Sequence, residues 1–209
     1  MKYIVFFTAI ILFLSCESET QDEKPSYPIQ YELSDGKETA TYQQTIDYYI
    51  TLAREFPEIN MHTIGETDSG YPLHTVTFNP DGDFNYENIR KEKSIILINN
   101  GIHPGESDGI DATMMLFRDL AGDSIAAPKN TVLATIPIYN VGGVLNRNST
   151  SRTNQNGPAE YGFRGNARNY DLNRDFIKAD TRNTRSFYEI FSSNFFVFGA
   201  RKFVYSFKS

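Results

Sequence analysis

Two continuous apolar runs most constrain how this chain can fold. Ser94–Asn99 reads Ser-Ile-Ile-Leu-Ile-Asn, and residues 131–139 read Thr-Val-Leu-Ala-Thr-Ile-Pro-Ile-Tyr. Such runs are typical of strands buried on both faces of a sheet. Between them, the apolar residues of 108–120 follow helical spacing, so the sequence predicts strand, helix, strand. We therefore expect an α/β fold with a mixed, mostly parallel sheet and helices on both faces.

The flanking segments predict further elements of the same domain. Residues 41–56 carry apolar positions at helical spacing, and residues 62–65 and 73–78 read as two short strands around a turn at 68–70. Residues 146–174 form a long polar stretch that Gly and Pro interrupt. A loop of that length inside a compact domain is usually functional.

The first sixteen residues resemble a bacterial lipoprotein signal. Lys2 precedes an apolar stretch over residues 4–14, which is too short to span a bilayer as a mature helix. Ser15 then precedes Cys16, the only cysteine, as in a lipobox whose cysteine becomes lipidated. The alternative is an ordinary signal peptide with an incidental cysteine. We expect an exported, membrane-anchored lipoprotein, periplasmic or at the cell surface, in which residues 17–40 form a polar tether.

A histidine and a glutamate follow the first buried strand directly. His103 and Glu106 are three residues apart in Asn-Gly-Ile-His-Pro-Gly-Glu-Ser, at the carboxyl end of the strand, where open α/β sheets form their sites. Pro104 keeps the pair off a regular helix, so the motif is a turn that can aim both side chains at one point. A nitrogen and a carboxylate donor suit zinc. The alternative is a turn in which His103 hydrogen-bonds to a neighbour.

A second polar constellation lies at residues 166–176. It contains the adjacent pair Asn173 and Arg174, preceded by Asp171 and Leu172. A guanidinium binds a carboxylate through two parallel hydrogen bonds, and a neighbouring amide adds further donors. The alternative is a solvated loop with salt-bridged arginines.

Together these residues resemble the M14 family of zinc carboxypeptidases. That family has, in order, a His-x-x-Glu ligand pair, an oxyanion-binding Arg, an Asn-Arg pair, a third ligand His and a catalytic Glu. His-Pro-Gly-Glu at 103–106 and Asp-Leu-Asn-Arg at 171–174 match this pattern closely, and residues 64–73 and 139–143 match it loosely. The resemblance covers residues 41–191, and it implies the N-terminal half of a zinc-carboxypeptidase-like fold.

The resemblance also implies a role for each matched residue. His103 and Glu106 would be two of three protein ligands of one Zn²⁺ ion. Asn173 and Arg174 would hold the terminal carboxylate of a peptide or protein substrate. Arg152 would stabilise the oxyanion that forms as the C-terminal peptide bond is hydrolysed. We choose Arg152 for this last role over Arg147 and Arg164.

Two parts of the family pattern have no counterpart in this sequence. The histidines are His62, His74 and His103, so none after His103 can be the third ligand, and no position is left for the general base Glu. Residues 192–209 are Phe-rich and basic, and a shifted reading frame there permits Trp-Arg-Pro-Glu-Val, which the family resemblance would lead us to expect. We therefore hypothesise that a frameshift truncates a longer enzyme, leaving this chain weakly active or inactive. The alternative is a short protein whose tail forms an edge strand.

Net charge argues against one other function class, and a detail of the His-x-x-Glu motif argues against a second. The formal net charge is −6 without a basic stripe, which argues against a nucleic-acid partner because phosphate binding needs clustered Lys and Arg. An aspartoacylase-like or desuccinylase-like deacylase shares the His-x-x-Glu and Asn-Arg logic, but such relatives usually carry Gly-Asn between His and Glu. A third possibility is a non-catalytic, membrane-tethered fragment or binding module.

Overall fold

A computed structural model describes residues 26–192 and the backbone of residues 202–205. Its strands are β1 Ile59–Glu66, β2 Pro72–Phe78, β3 Ser94–Asn99, β4 Thr131–Ile136 and β5 Lys202–Tyr205. They form one mixed sheet with the order β1-β2-β4-β3-β5. β2 pairs antiparallel with β1 and with β4, whereas β3 pairs parallel with β4 and with β5. The expected mixed α/β sheet is confirmed, with two of these four pairings parallel.

Six α-helices and one 3-10 helix complete the described part of the chain. Thr41 caps the second helix by accepting from the backbone N–H of Gln44, whose side chain accepts in turn from the N–H of Thr41, so the first turn is closed as a capping box. The helices are α1 Gln30–Leu33, α2 Tyr42–Glu55, α3 Tyr86–Glu92, α4 Asp108–Ala121, α5 Val141–Leu145, the 3-10 helix Leu172–Arg174 and α6 Arg182–Ile190.

Helices cover both faces of the sheet, as expected. On one face α2 and α4 bury Tyr49 and Phe117, whose rings meet edge to face with centroids 5.8 Å apart. On the other face α3 packs on β3 and α6 packs on β1 and β2, with Ile190 among the fully buried residues. The central strands therefore lie between two apolar layers, which explains their continuous apolar sequence.

The second apolar run ends as a strand earlier than its sequence suggests. β4 stops at Ile136 rather than continuing to residue 139. Pro137 has no N–H to donate to a strand ladder. The chain then turns, and the N–H groups of Tyr139 and Asn140 donate to the carbonyls of Asn100 and Gly101 (2.8 and 3.1 Å). The loops that follow β3 and β4 are thereby joined at one edge of the sheet.

Part of the expected tether belongs to the folded domain. Ile29 is 1% exposed and lies in the core beside α2 and α4. Glu32 of α1 accepts a hydrogen bond from Arg118 of α4 (2.6 Å). The boundary predicted at residue 40 is therefore wrong, because residues 29–40 carry apolar and paired side chains that a solvated tether would leave in water.

The predicted signal segment, Cys16 and most of the tail lie outside the described residues. Within the described residues, no helix combines the length and apolar character needed to cross a membrane. The backbone of β5 runs beside β3 at the edge of the sheet, in register from Ile95 opposite Lys202 to Ile98 opposite Tyr205. This agrees with a tail that forms an edge strand, and the frameshift hypothesis stays a prediction.

A buried carboxyl group ties the N-terminal segment to α4. Asp111 is 5% exposed. Its carboxyl group accepts hydrogen bonds from the hydroxyl of Thr39 and from the backbone N–H of Ala40 (3.3 Å). Burial raises the pKa of Asp111 from 3.8 to about 6, although these two hydrogen bonds oppose the shift. The folded state therefore binds this proton more tightly than the unfolded state does.

Folding stability should respond to the titration of Asp111. The stabilisation from its protonated form is complete below about pH 4 and is lost as the pH rises through 6. In urea unfolding between pH 4 and 7, we expect Asp111→Asn to gain on the order of 1–3 kcal/mol relative to the wild type as the pH rises. Asp47→Asn, at an exposed position on α2, is the control. A constant difference across this pH range would contradict the assignment.

Candidate metal and carboxylate site

The candidate site lies where β3 and β4 end at the same edge of the sheet. Asn99 and Ile136 are opposite each other in the parallel register, and the turn that carries His103 follows β3 after four residues. Gly101, between β3 and His103, has φ +65°, a conformation that favours glycine. The N–H of Glu106 donates to the carbonyl of His103 (2.8 Å), which closes the turn.

Both ring nitrogens of His103 have defined partners. Nε2 lies 2.8 Å from Oδ1 of Asp171, and Nδ1 lies 3.3 Å from Nη1 of Arg164. The ring itself is 3% exposed. Since an ionised carboxylate only accepts and a guanidinium only donates, Nε2 carries the proton and Nδ1 presents its lone pair. Nδ1 also faces Oε1 of Glu106 at 3.6 Å, so the two predicted donors point at one place.

Asp171 is held as an anion by three donors. Its carboxylate accepts from His103, from Nη2 of Arg164 (2.8 Å) and from the backbone N–H of Asn173 (3.0 Å). Burial would raise the pKa of Asp171, but the hydrogen bonds from His103, Arg164 and Asn173 outweigh it and lower the pKa to about 2. A carboxylate on the far nitrogen of a histidine orients the ring and increases its basicity as a metal ligand.

Of the three arginines considered for the oxyanion role, Arg152 and Arg164 reach the site. Nη2 of Arg152 lies 2.8 Å from Oε1 of Glu106. Arg164 contacts His103 and Asp171 instead. Arg147 donates to the backbone carbonyls of Thr39, Ala40 and Glu160, so it braces the long loop against the N-terminal segment.

Asn173 and Arg174 lie in the 3-10 helix that follows Asp171. Leu172, between them and Asp171, is fully buried in the core under α6, which anchors the motif. The guanidinium of Arg174 is exposed and donates to the carbonyl of Asn173 at 3.2 Å. The predicted carboxylate-binding pair is therefore attached to the residue that orients His103.

The sequence reasoning missed two site residues, Asp171 and Arg164. Asp171 opens the matched Asp-Leu-Asn-Arg motif, so its position was visible, but nothing in the sequence pairs it with a histidine 68 residues earlier. The sequence favours Arg152 over Arg164 for the oxyanion role and indicates no other role for Arg164. Its main chain is placed by Asn140, whose side-chain amide donates to the carbonyl of Arg164 (3.0 Å).

The donors present fit zinc in type and in spacing, as two members of a larger set. A nitrogen and an oxygen bound tetrahedrally to zinc lie roughly 3.3 Å apart, close to the observed 3.6 Å between Nδ1 of His103 and Oε1 of Glu106. In the described residues, no group of three or more His, Cys, Asp or Glu side chains is placed to hold a metal ion. His62 and His74 lie on the antiparallel strands β1 and β2.

Several solved structures share this fold. A metallo-carboxypeptidase from Burkholderia cenocepacia matches with a TM-score of 0.57 and 18% identity, over 79% of this chain and 40% of that one. Carboxypeptidase A from Helicoverpa armigera matches with a TM-score of 0.57 and 15% identity, over 74% and 42%. A metallo-carboxypeptidase from Pseudomonas aeruginosa, in complex with (2-guanidinoethylmercapto)succinic acid, gives 0.54 and 15%, over 78% and 38%. This chain spans about two fifths of the length of these proteins.

Sequence comparison gives a family but no match among the curated proteins. No curated protein sequence is significantly similar to this chain. The sequence model of the family described as zinc carboxypeptidase matches residues 45–194, which include both motifs of the site. With the shared fold, this shows that the chain belongs to the zinc carboxypeptidase family, peptidase M14.

Proposed function

We propose that this chain carries the first part of the active centre of a zinc metallocarboxypeptidase that hydrolyses C-terminal peptide bonds. The observation that carries the proposal is the 2.8 Å contact between Nε2 of His103 and Oδ1 of Asp171. It leaves Nδ1 facing Glu106, and it joins the predicted metal ligands to the predicted carboxylate-binding pair, Asn173 and Arg174.

Each of these residues has a separate task in the proposed reaction. His103 and Glu106 bind the metal. Asp171 keeps the proton of His103 on Nε2, the ring nitrogen that faces away from the metal. Bound zinc supplies Lewis-acid activation of the substrate carbonyl and of water. Arg152 donates hydrogen bonds to the carbonyl oxygen as it gains charge.

The substrate is held by its terminal carboxylate. Arg174 can offer that carboxylate two parallel N–H donors, and the side-chain amide of Asn173 can add another. Binding at the carboxylate would restrict cleavage to the last peptide bond, because an internal segment of a peptide has no such group. The proposed substrate is therefore a peptide or protein with a free C-terminus.

Zinc binding by this chain should be weak and should depend on His103. The described residues supply two protein ligands, whereas a catalytic zinc site has three. In a competition assay with a chromophoric chelator at pH 7, we expect His103→Ala to abolish binding. Asp171→Asn should weaken binding by roughly 10–100-fold, because it replaces the charged acceptor that orients the ring with a neutral amide.

His62→Ala is the matched control for the zinc measurement, since it removes an exposed histidine of β1. We expect its zinc affinity to equal that of the wild type. If His103→Ala binds zinc as tightly as His62→Ala does, the bound ion is held elsewhere and the zinc site proposed here is wrong.

Recognition of a free C-terminus should depend on Arg174. We expect the chain to bind a short peptide with a free terminal carboxylate more tightly than its amidated counterpart. Because hydrogen bonds to charged groups contribute about 1.5–3 kcal/mol, Arg174→Ala should reduce that preference by roughly 10–100-fold. Fluorescence anisotropy with both labelled peptides measures it, and Arg54→Ala, on an exposed ion pair of α2, is the control. An unchanged preference in Arg174→Ala would refute the assignment.

We also propose that the protein is exported and anchored to a membrane by lipidation of Cys16. Support comes from the sequence around this residue, a short apolar stretch followed by Ser15 and the single cysteine. Expressed from its full gene in a bacterial host with a labelled fatty acid, the wild type should incorporate label and fractionate with membranes. Cys16→Ser should do neither, whereas label retained in Cys16→Ser would rule out this anchor.

A further inference from the structure

Both predicted metal donors are already occupied by guanidinium groups. Nη2 of Arg152 lies 2.8 Å from Oε1 of Glu106, and Nη1 of Arg164 lies 3.3 Å from Nδ1 of His103. The oxygen and the nitrogen that face each other across 3.6 Å are therefore each capped by a positive charge. A metal ion that binds between these donors must replace both contacts.

The charges of this cluster balance without a metal. Glu106 and Asp171 contribute two negative charges, Arg152 and Arg164 contribute two positive charges, and the His103 tautomer described above is neutral. The side chains of His103 and Glu106 are 3% and 14% exposed, so water screens these interactions only in part. A divalent cation added to this cluster would raise its net charge to +2, whereas a cation that displaces both guanidiniums would restore neutrality locally.

The backbone holds both arginines at the site. The N–H of Arg152 donates to the hydroxyl of Tyr161 (3.0 Å), and Tyr161 is 2% exposed. The carbonyl of Arg164 accepts from the buried amide of Asn140 (3.0 Å). These hydrogen bonds fix the main chains of Arg152 and Arg164 close to Glu106 and His103, the two predicted metal ligands.

The turn between the donors has room for Arg152 because residue 105 is glycine. A Cβ atom on Gly105 would lie 2.2 Å from Nε and 2.8 Å from Cδ of Arg152. Its φ angle is not in the left-handed region, so the backbone would accept alanine and the guanidinium of Arg152 would have to move. Gly105→Ala therefore tests the position of the Arg152 guanidinium without removing its charge.

We propose that Arg152 and Arg164 are positioning residues that hold the metal-free site in its metal-binding arrangement and compete with the metal for it. Arg164 and Asp171 favour the same tautomer of His103, because the N–H of Arg164 donates to Nδ1 while Asp171 accepts from Nε2. Arg152 neutralises Glu106. This proposal rests on the zinc site of the proposed function, and it adds that zinc binding releases Arg152 from Glu106, which frees its guanidinium for the substrate carbonyl.

Zinc affinity of the intact chain tests the competition. By chelator competition at pH 7, we expect Arg152→Gln and Arg164→Gln each to bind zinc about tenfold more tightly than the wild type, since each removes a competing cation. Gly105→Ala should change the affinity in the same direction without altering net charge. Arg168→Gln is the charge-matched control, because Arg168 is half exposed in the same loop and stacks on Tyr170.

The tautomer of His103 gives a second readout that needs no metal. Nitrogen NMR of the zinc-free wild type should show the proton of this ring on Nε2, with His62→Ala and His74→Ala used to assign the three imidazoles. In Arg164→Gln we expect the share of the Nδ1-protonated tautomer to rise, because Asp171 alone then favours a proton on Nε2. Arg168→Gln should keep the wild-type spectrum.

The outcomes distinguish the proposed competition from the proposed zinc site. If zinc binds the wild type through His103 but the arginine variants bind it no more tightly than Arg168→Gln, the competition is refuted and the zinc site stands. If neither the wild type nor any arginine variant binds zinc, both proposals fall. An unchanged ratio of the two His103 tautomers in Arg164→Gln would also overturn the positioning role of Arg164.

Discussion

Parallel pairing of β3 with β4 is the constraint on which the site depends. It places Asn99 opposite Ile136, so the two strands end at the same edge, and the hydrogen bonds of Tyr139 and Asn140 then join the following loops. The turn with His103 leaves one strand, and the chain toward Asp171 leaves the other. Buried Ile102 and Leu172 anchor these segments in the core, so the 2.8 Å contact between His103 and Asp171 joins two segments that are each packed against it.

Once the strands are paired, the pairing of opposite charges determines which side chains of the site contact one another. Two carboxylates and two guanidiniums surround a buried imidazole, and each carboxylate is paired with a guanidinium. A partly buried carboxylate without such a partner would be destabilised by desolvation. The lowered pKa of Asp171 and the raised pKa of Asp111 show the two cases, since Asp171 has two guanidinium or imidazole donors whereas Asp111 has only a hydroxyl and a backbone N–H.

Elements with strong local signals were predicted well from sequence, and their ends less so. The apolar run of β3 and the helical spacing of α4 gave bounds within one residue of those observed. β4 ended three residues early because Pro137 cannot donate to the ladder. The N-terminal segment was misjudged because its polar composition concealed Ile29, and a single apolar residue has no periodicity to reveal that it is buried.

The sequence by itself determined the α/β class, the family and the residues His103, Glu106, Arg152, Asn173 and Arg174 as candidates, because these depend on local pattern and on motif spacing. Only the tertiary structure decided that Asp171 orients His103 and that Arg164 caps its other nitrogen, since both contacts join residues more than sixty positions apart. It also decided that Gly105 makes room for Arg152. Contacts of this kind depend on strand register and on packing between layers, which motif spacing does not encode.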